Sequence, residues 1–273
     1  MSGSDDLATA ASLASGTLVS ALTDAPAAIR LHDVSKVFGT GSGAIAALDR
    51  VSLEVGASEF VCVGGASGCG KSTLLNLVSG LDSPTTGSIE LRGKPSLMFQ
   101  EAALFPWLTV RSNVELALRL RGVPKKERRD RAQDLLQVVH LGSFGDKRPH
   151  ELSGGMRQRV ALARSLAQEA DVLLMDEPFG ALDAMTRDLM HDELERVWSD
   201  RHLAVVFVTH NVREAVRLGD RVVLLSSRPG RVAAEFAVDI DRPRRIESPE
   251  VSRLAGEITA RLREEVRRHA VHT

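Results

Sequence analysis

The chain predicts an α/β fold: a parallel-sheet core with an antiparallel β edge and an inserted helical region. Three observations predict it. Short continuous apolar runs recur at 60–63, 172–175, 204–208 and 222–225. Such runs are what strands buried on both faces require. Helix-patterned segments alternate with them, and that order builds a parallel sheet with crossover helices. A glycine-dense decamer, GGASGCGKST, follows the first run directly and opens a helix-patterned segment.

The elements follow in order. The amino end, 1–28, is rich in Ala, Ser and Thr. It carries Asp5 and Asp6 and no basic residue ahead of its mildly apolar part, which argues against a secretory or transit signal. It reads as a tail, or else as a short amphipathic helix. Ile29, Leu31, Val34 and Val37-Phe38 suggest an edge strand, and Val51, Leu53 and Val55 a second, with GTGSG at 39–43 as the turn between them. The stretch 102–158 reads as helical, with Ala132, Leu135, Leu136 and Val139 on one face. Lys125-Lys126-Glu127-Arg128-Arg129 reads as a solvated helix face. After Asp241 comes a polar link, RPRRIESPE. Ser248-Pro249-Glu250 is a helix start, with cap, first-turn proline and acid together. Val251, Leu254, Ile258, Leu262 and Val266 then mark the inward face of a last helix. That helix either extends a dimer contact or packs on the core. The domain reading is therefore a tail (1–28), a main domain (29–240, helical subdomain about 101–160) and a C-terminal extension (241–273).

Composition narrows the class. The 273 residues carry 35 basic and 36 acidic side chains, a formal net charge of −1. That balance gives no field for bulk nucleic-acid binding. No run approaches the ~18 apolar residues of a membrane span. Cys62 falls in a buried run and Cys69 inside the glycine loop, so both read as free thiols in a reducing compartment.

The decamer satisfies G-x-x-x-x-G-K-[ST] through Gly65, Gly70, Lys71 and Ser72. Its glycines let successive N–H groups turn inward on phosphate oxygens, and the following helix adds its positive end. Lys71 supplies a charge to the β and γ phosphates. Ser72 is a Mg²⁺ ligand and Thr73 a further donor. A metal-bound triphosphate also needs a carboxylate. The run at 172–175 ends on Asp176, placed for Mg²⁺, and Glu177 follows, placed to orient water or accept its proton. These features predict a P-loop NTPase, RecA-like fold with ATP and Mg²⁺ as its cofactors.

Four more features narrow it. Gln100 ends MFQ; LSGGMRQR begins at Leu152; Ala181-Leu182-Asp183 follows the acidic pair; His210 ends VVFVTH. With these in order, residues 29–235 resemble the nucleotide-binding subunit of ABC transporters. The resemblance implies that Ser153, Gly154 and Gly155 cover the ATP held by a second copy, so that a homodimer closes two sites. It implies that Phe38 stacks on adenine. The loop residues Gly65, Ala66, Ser67, Gly68, Cys69 and Gly70, with Lys71, Ser72 and Thr73, hold the phosphates. Gln100 meets Mg²⁺ or the attacking water, Asp183 bridges the two sites, and His210 contacts the γ phosphate. Ala66 stands where proline is frequent in the family and Asn211 where aspartate is common; neither removes a catalytic group.

The stretch FQEAALFPWLTV and the later SRPGR resemble importers for nitrate, taurine and alkanesulfonates, and ELRGKPSLMF is most similar to the aliphatic-sulfonate branch. That resemblance implies two membrane-spanning permease subunits, a periplasmic or lipid-anchored solute-binding protein, and a place at the cytoplasmic face of the membrane. Phe105, Pro106 and Trp107 are expected on the helical part, lining a groove for a permease helix. The competing classes are a soluble ABC ATPase acting on DNA or ribosomes, an exporter or importer of another solute, and a small-molecule kinase. Single-cassette length and the absence of sustained heptads oppose the first. LSGGM and His210 oppose the last.

Overall fold

The computed structural model describes residues 27–270. The amino-terminal tail lies almost wholly outside the described residues, apart from Ala27 and Ala28, which open the first strand. That strand, β1 (Ala27–Phe38), pairs antiparallel with β2 (Ile45–Gly56) on one side and with β4 (Thr86–Leu91) on the other. It is therefore the central strand of a three-stranded sheet, where the alternating pattern suggests an edge. The second sheet is six-stranded, in the order β5-β6-β7-β3-β8-β9. It comprises β3 (Phe60–Gly65), β5 (Pro95–Met98), β6 (Val172–Asp176), β7 (Ala204–Val208), β8 (Arg221–Leu225) and β9 (Val232–Ala237). All of its pairs are parallel except the last, β8 with β9.

The apolar runs are explained by burial on both faces. In β3, Val61 and Val63 point into a core shared with β1, β2 and the helix α1 (Lys71–Val78). Phe60 and Cys62 point the other way, into a second core. That core is closed by α2 (Val110–Leu120), α3 (Lys125–Val138), α4 (Gly154–Leu166), α5 (Ala184–Arg201), α6 (Val212–Leu218) and α7 (Pro249–Ala270). With no face left to water, no polar residue can alternate with the apolar ones. Both cysteines are buried and free. Among the described residues no helix is long and apolar enough to cross a membrane.

Two expectations change. The segment 101–109 is not helical; α2 begins only at Val110, capped by Thr109, whose hydroxyl accepts from the Ser112 N–H at 3.1 Å. Phe105, Pro106 and Trp107 thus lie on a loop. The fully buried Asn113 braces it: its Oδ1 accepts from the Phe105 N–H at 2.8 Å, and its Nδ2 donates to the Thr109 carbonyl at 2.9 Å. Pro106 and this bracing keep 105–108 as a turn, closed by the Leu108 N–H donating to the Phe105 carbonyl at 3.1 Å, where a helical run would otherwise start.

The polar link is also not a free linker. Arg244, only 6% exposed, donates to the carbonyls of Val216, Gly219, Val238 and Ile240. Arg242 donates to Glu195 and Asp220 at 2.8 Å each and lies over the Trp198 ring. Burial pushes the Arg244 guanidinium below its usual range, and the nearby Arg242 charge adds to that. The charges of Asp220 and Glu195 act in the opposite direction. Losing a donor like Arg244 leaves buried acceptors unpaired, at about 1–3 kcal/mol. Arg244→Ala is expected to lower the urea midpoint accordingly, with the slope unchanged; an unaltered midpoint would show the link to be dispensable.

Beyond the link, Ser248 caps α7, accepting from the Val251 N–H at 3.3 Å. Val251, Ala255 and Ile258 are buried, and Leu254 and Leu262 pack beside them. Burying a valine or isoleucine fully is worth about 1.5–3 kcal/mol. Val266 is 43% exposed, so the buried face ends one turn earlier than the periodicity suggests.

Candidate active site

The glycine loop connects β3 to α1. Gly70 is the N-cap of α1, at φ 99°, and no side chain caps the helix. A Cβ at Gly70 would lie 2.8 Å from the Ala47 carbonyl and 2.6 Å from Leu48, so both its φ and the close approach of β2 demand glycine. The first N–H groups of α1 therefore stay open to an anion. Lys71 is buried. Its Nζ donates to the carbonyls of Gly65 at 3.0 Å and Ala66 at 2.9 Å, and lies 3.7 Å from Cys69 Sγ. All three are uncharged, so a buried ammonium faces the cleft with charge to spare for a phosphate.

The acids come from the ends of neighbouring strands. Asp176 closes β6 and lines the same cleft as Ser72. Burial raises its carboxyl above the usual aspartate range, and the charge of Glu177 pushes the same way. Glu177 adopts φ 45°, the left-handed region, which costs a side-chain-bearing residue about 1–2 kcal/mol. Its N–H donates to the Val208 carbonyl at 2.9 Å, which holds that turn in place. Its Oε2 lies 3.0 Å from His210 Nδ1. Parallel pairing of β6 with β7 is what brings Glu177 and His210 together.

These groups line one cleft of about 680 Å³. Its lining includes Phe38, the loop residues Gly65, Ser67, Gly68, Gly70, Lys71, Ser72 and Thr73, and the polar Gln100, Asp176, Glu177 and His210. Ala66 and Cys69 belong to the loop but do not line the cleft; the Cys69 thiol is buried behind it, and burial pushes its pKa up. Three lining residues escape sequence reasoning: Ile45, Ala47 and Arg228. Arg228 arrives from the β8–β9 turn and its Nε donates to the Gly68 carbonyl at 3.4 Å. Only the SRPGR string hinted at it. Gln158 stands inside LSGGMRQR, but the string does not show what its side chain touches. It sits on α4 and donates its side-chain amide to the Gln100 carbonyl.

Ser153, Gly154, Gly155 and Asp183 lie apart from this cleft. Ser153 caps α4, accepting from the Met156 N–H at 3.2 Å. A Cβ on Gly155 would meet Leu182 at 2.8 Å and the Ala181 carbonyl at 3.3 Å, so the helix tip and the 181–183 segment abut closely. Asp183 caps α5 through the Thr186 N–H at 2.9 Å, and that bond holds its carboxyl below the usual range.

Among the described residues no three His, Cys, Asp or Glu side chains gather to hold a metal. One hydroxyl and one carboxylate lining the same cleft, Ser72 and Asp176, beside a phosphate cradle, instead fit Mg²⁺, which takes few protein ligands and completes its shell with phosphate and water.

A glycine loop between a buried parallel strand and a helix, with an acid on a neighbouring strand tip, defines a P-loop NTPase. The family model for ABC transporters matches residues 48–180. The taurine import ATP-binding protein TauB of Mesorhizobium japonicum is 50% identical over 204 residues, covering 72% of this chain and 79% of that one. The nitrate import ATP-binding protein NrtD of Synechocystis sp. is 47% identical over 220 residues, covering 78% and 83%. A solved dimeric, post-hydrolysis structure of the ATP-binding cassette MJ0796, bound to ADP and Pi, matches with a TM-score of 0.73 and 34% identity, over 78% of this chain and 100% of that one. The chain belongs to the ABC transporter ATP-binding family.

Proposed function

We propose that this protein is the ATP-hydrolysing subunit of an ABC importer for small anions, of the aliphatic sulfonate, taurine or nitrate type. The observation that carries the ATPase reading is the convergence of Lys71, Ser72, Asp176, Glu177 and His210 in one cleft. Phe38 stacks on adenine. The glycine loop and Lys71 hold the β and γ phosphates. Ser72, Asp176 and Gln100 would hold Mg²⁺, which when bound offsets phosphate charge. Glu177 takes the proton of the attacking water, and His210, hydrogen-bonded to Glu177, contacts the γ phosphate. Ser153, Gly154, Gly155 and Asp183 serve the ATP of a second copy, since they lie away from the chain's own cleft. Two copies close head to tail, and hydrolysis reopens them.

The solute class follows the relatives named for taurine and nitrate import. The complex then comprises two permease subunits and a periplasmic or lipid-anchored binding protein, with this subunit at the cytoplasmic face of the membrane and no nucleic-acid partner. The test is ATPase stimulation in liposomes carrying the permease and binding protein, across alkanesulfonates, taurine and nitrate. One of these should raise the rate; no stimulation by any of them would refute the solute class.

The permease contact is the Phe105–Trp107 loop. Trp107 is 68% exposed, its ring 5.5 Å from that of Phe105. Asn113 holds the loop rigid, so an exposed aromatic pair is presented at a fixed angle. Trp107→Ala is expected to cut transport at least tenfold while basal ATP hydrolysis stays within twofold. Transport at the normal rate would remove this role.

A further inference from the structure

Behind the cleft lies a buried polar cluster that the reading above does not use. His191 on α5 is 0% exposed; Glu214 and Arg217 on α6, and Thr209 at the end of β7, are also buried. Donor and acceptor roles follow from chemistry alone. Arg217 can only donate, and its Nη1 lies 2.5 Å from His191 Nδ1, so Nδ1 accepts. The remaining ring N–H, on Nε2, then donates to Glu214 Oε1 at 2.7 Å. Glu214 Oε2 accepts from the Thr209 hydroxyl. The Thr209 oxygen in turn accepts from the Asn211 N–H at 3.0 Å. The chain of bonds ends on both backbone neighbours of His210.

Other groups hold the near end. Arg217 Nη2 donates to Asp192 at 2.5 Å, and Asp188 lies 3.8 Å from His191 Nδ1. The Phe179 ring stands edge-on to the imidazole, centroids 5.4 Å apart, two residues after Glu177. The imidazole thus touches the segment that carries Glu177 and, through Glu214, the turn that carries His210. It sits on the helix that Asp183 caps. A fully satisfied buried network fixes one arrangement of its members.

We propose that His191 is a positioning residue for ATP hydrolysis: through Glu214 and the Thr209 hydroxyl it sets the backbone from which His210 reaches the nucleotide. This rests on the assignment of His210 to the γ phosphate. Misplacing a reacting group by an ångström can cost about a hundredfold in rate. Removal of the relay should therefore lower kcat and spare ATP binding, because Phe38 and the glycine loop lie outside it.

The test is a double-mutant cycle on the full-length chain, reading single-turnover hydrolysis and ATP affinity. His191→Leu is expected to lower the rate at least tenfold with ATP affinity within twofold. In a His210→Ala background the same change should cost less than twofold, since nothing is left to position. A role confined to packing would leave the rate of His191→Leu at the wild-type value, or give losses that multiply in full across the cycle; either result overturns the proposal. His210→Ala alone tests the underlying assignment: a wild-type rate there removes the role of His210 whatever His191 does. Should His191→Leu fail to fold, Thr209→Val and Thr209→Ser carry the test. Valine should lose at least tenfold and serine, which keeps the hydroxyl, should restore the rate. Equal rates for valine and wild type would overturn the relay.

Discussion

Glu177→Gln is expected to bind ATP and hold it, with turnover lowered at least ~100-fold. Glutamine keeps the shape of the side chain and can still bond His210. It cannot accept a proton from water, and a positioned base of this kind contributes about 10²–10⁴ in rate. The backbone should not relax, because the Glu177 N–H is tied to Val208 at 2.9 Å. The turn therefore keeps its left-handed geometry in the variant. With hydrolysis blocked and the phosphate cradle intact, two chains should stay closed over nucleotide. Size-exclusion chromatography with ATP and Mg²⁺ should show a dimer that the wild type shows only transiently. Normal hydrolysis by this variant would remove Glu177 from the base role.

Lys71→Ala should fail differently, at the binding step as well as at the chemistry. The ammonium is buried and bonded to the Gly65 and Ala66 carbonyls, so it pins the loop and, in the role proposed above, would carry charge to the phosphates. Loss of one positioned electrostatic donor costs about 2.7–4 kcal/mol of transition-state stabilisation, or 10²–10³ in rate. Titration with a fluorescent ATP analogue should show weakened affinity for Lys71→Ala and retained affinity for Glu177→Gln. If both bound ATP equally well, the separation of binding from base catalysis would be wrong.

The legibility of the fold varies with burial. The strands β3, β6, β7 and β8 could be read because both faces are covered, which forces continuous apolar runs. β4 and β9 present half-exposed faces, β5 is four residues long, and none of them shows a run or a clean alternation. β1 alternates like an edge strand yet sits between two partners, because strand order is set by distant pairing. The link at 241–248 reads as polar and is partly buried, since Arg244 finds acceptors just after β9 and, 28 residues back in the chain, on α6.

The site divides along the same line. The phosphate loop, the acids after the buried run, and the helix cap at Ser153 are local patterns, and each carries its chemistry in a few consecutive residues. Arg228 and Gln158 lie inside quoted strings, SRPGR and LSGGMRQR, that do not say what these two side chains touch, and the His191 relay comes from segments with no motif of their own. They matter only because parallel strands and packed helices bring them behind or beside the cleft. The amino-acid order by itself therefore determined which groups could meet a nucleotide, through glycine geometry, strand-end acids and the cap. Tertiary structure alone decided which of them face one another: the β6–β7 pairing sets Glu177 against His210, and the packing of α4 turns Ser153 away from the chain's own cleft. The physical reason is that a backbone motif is written within one turn of chain, while a side-chain constellation exists only once distant strands have paired.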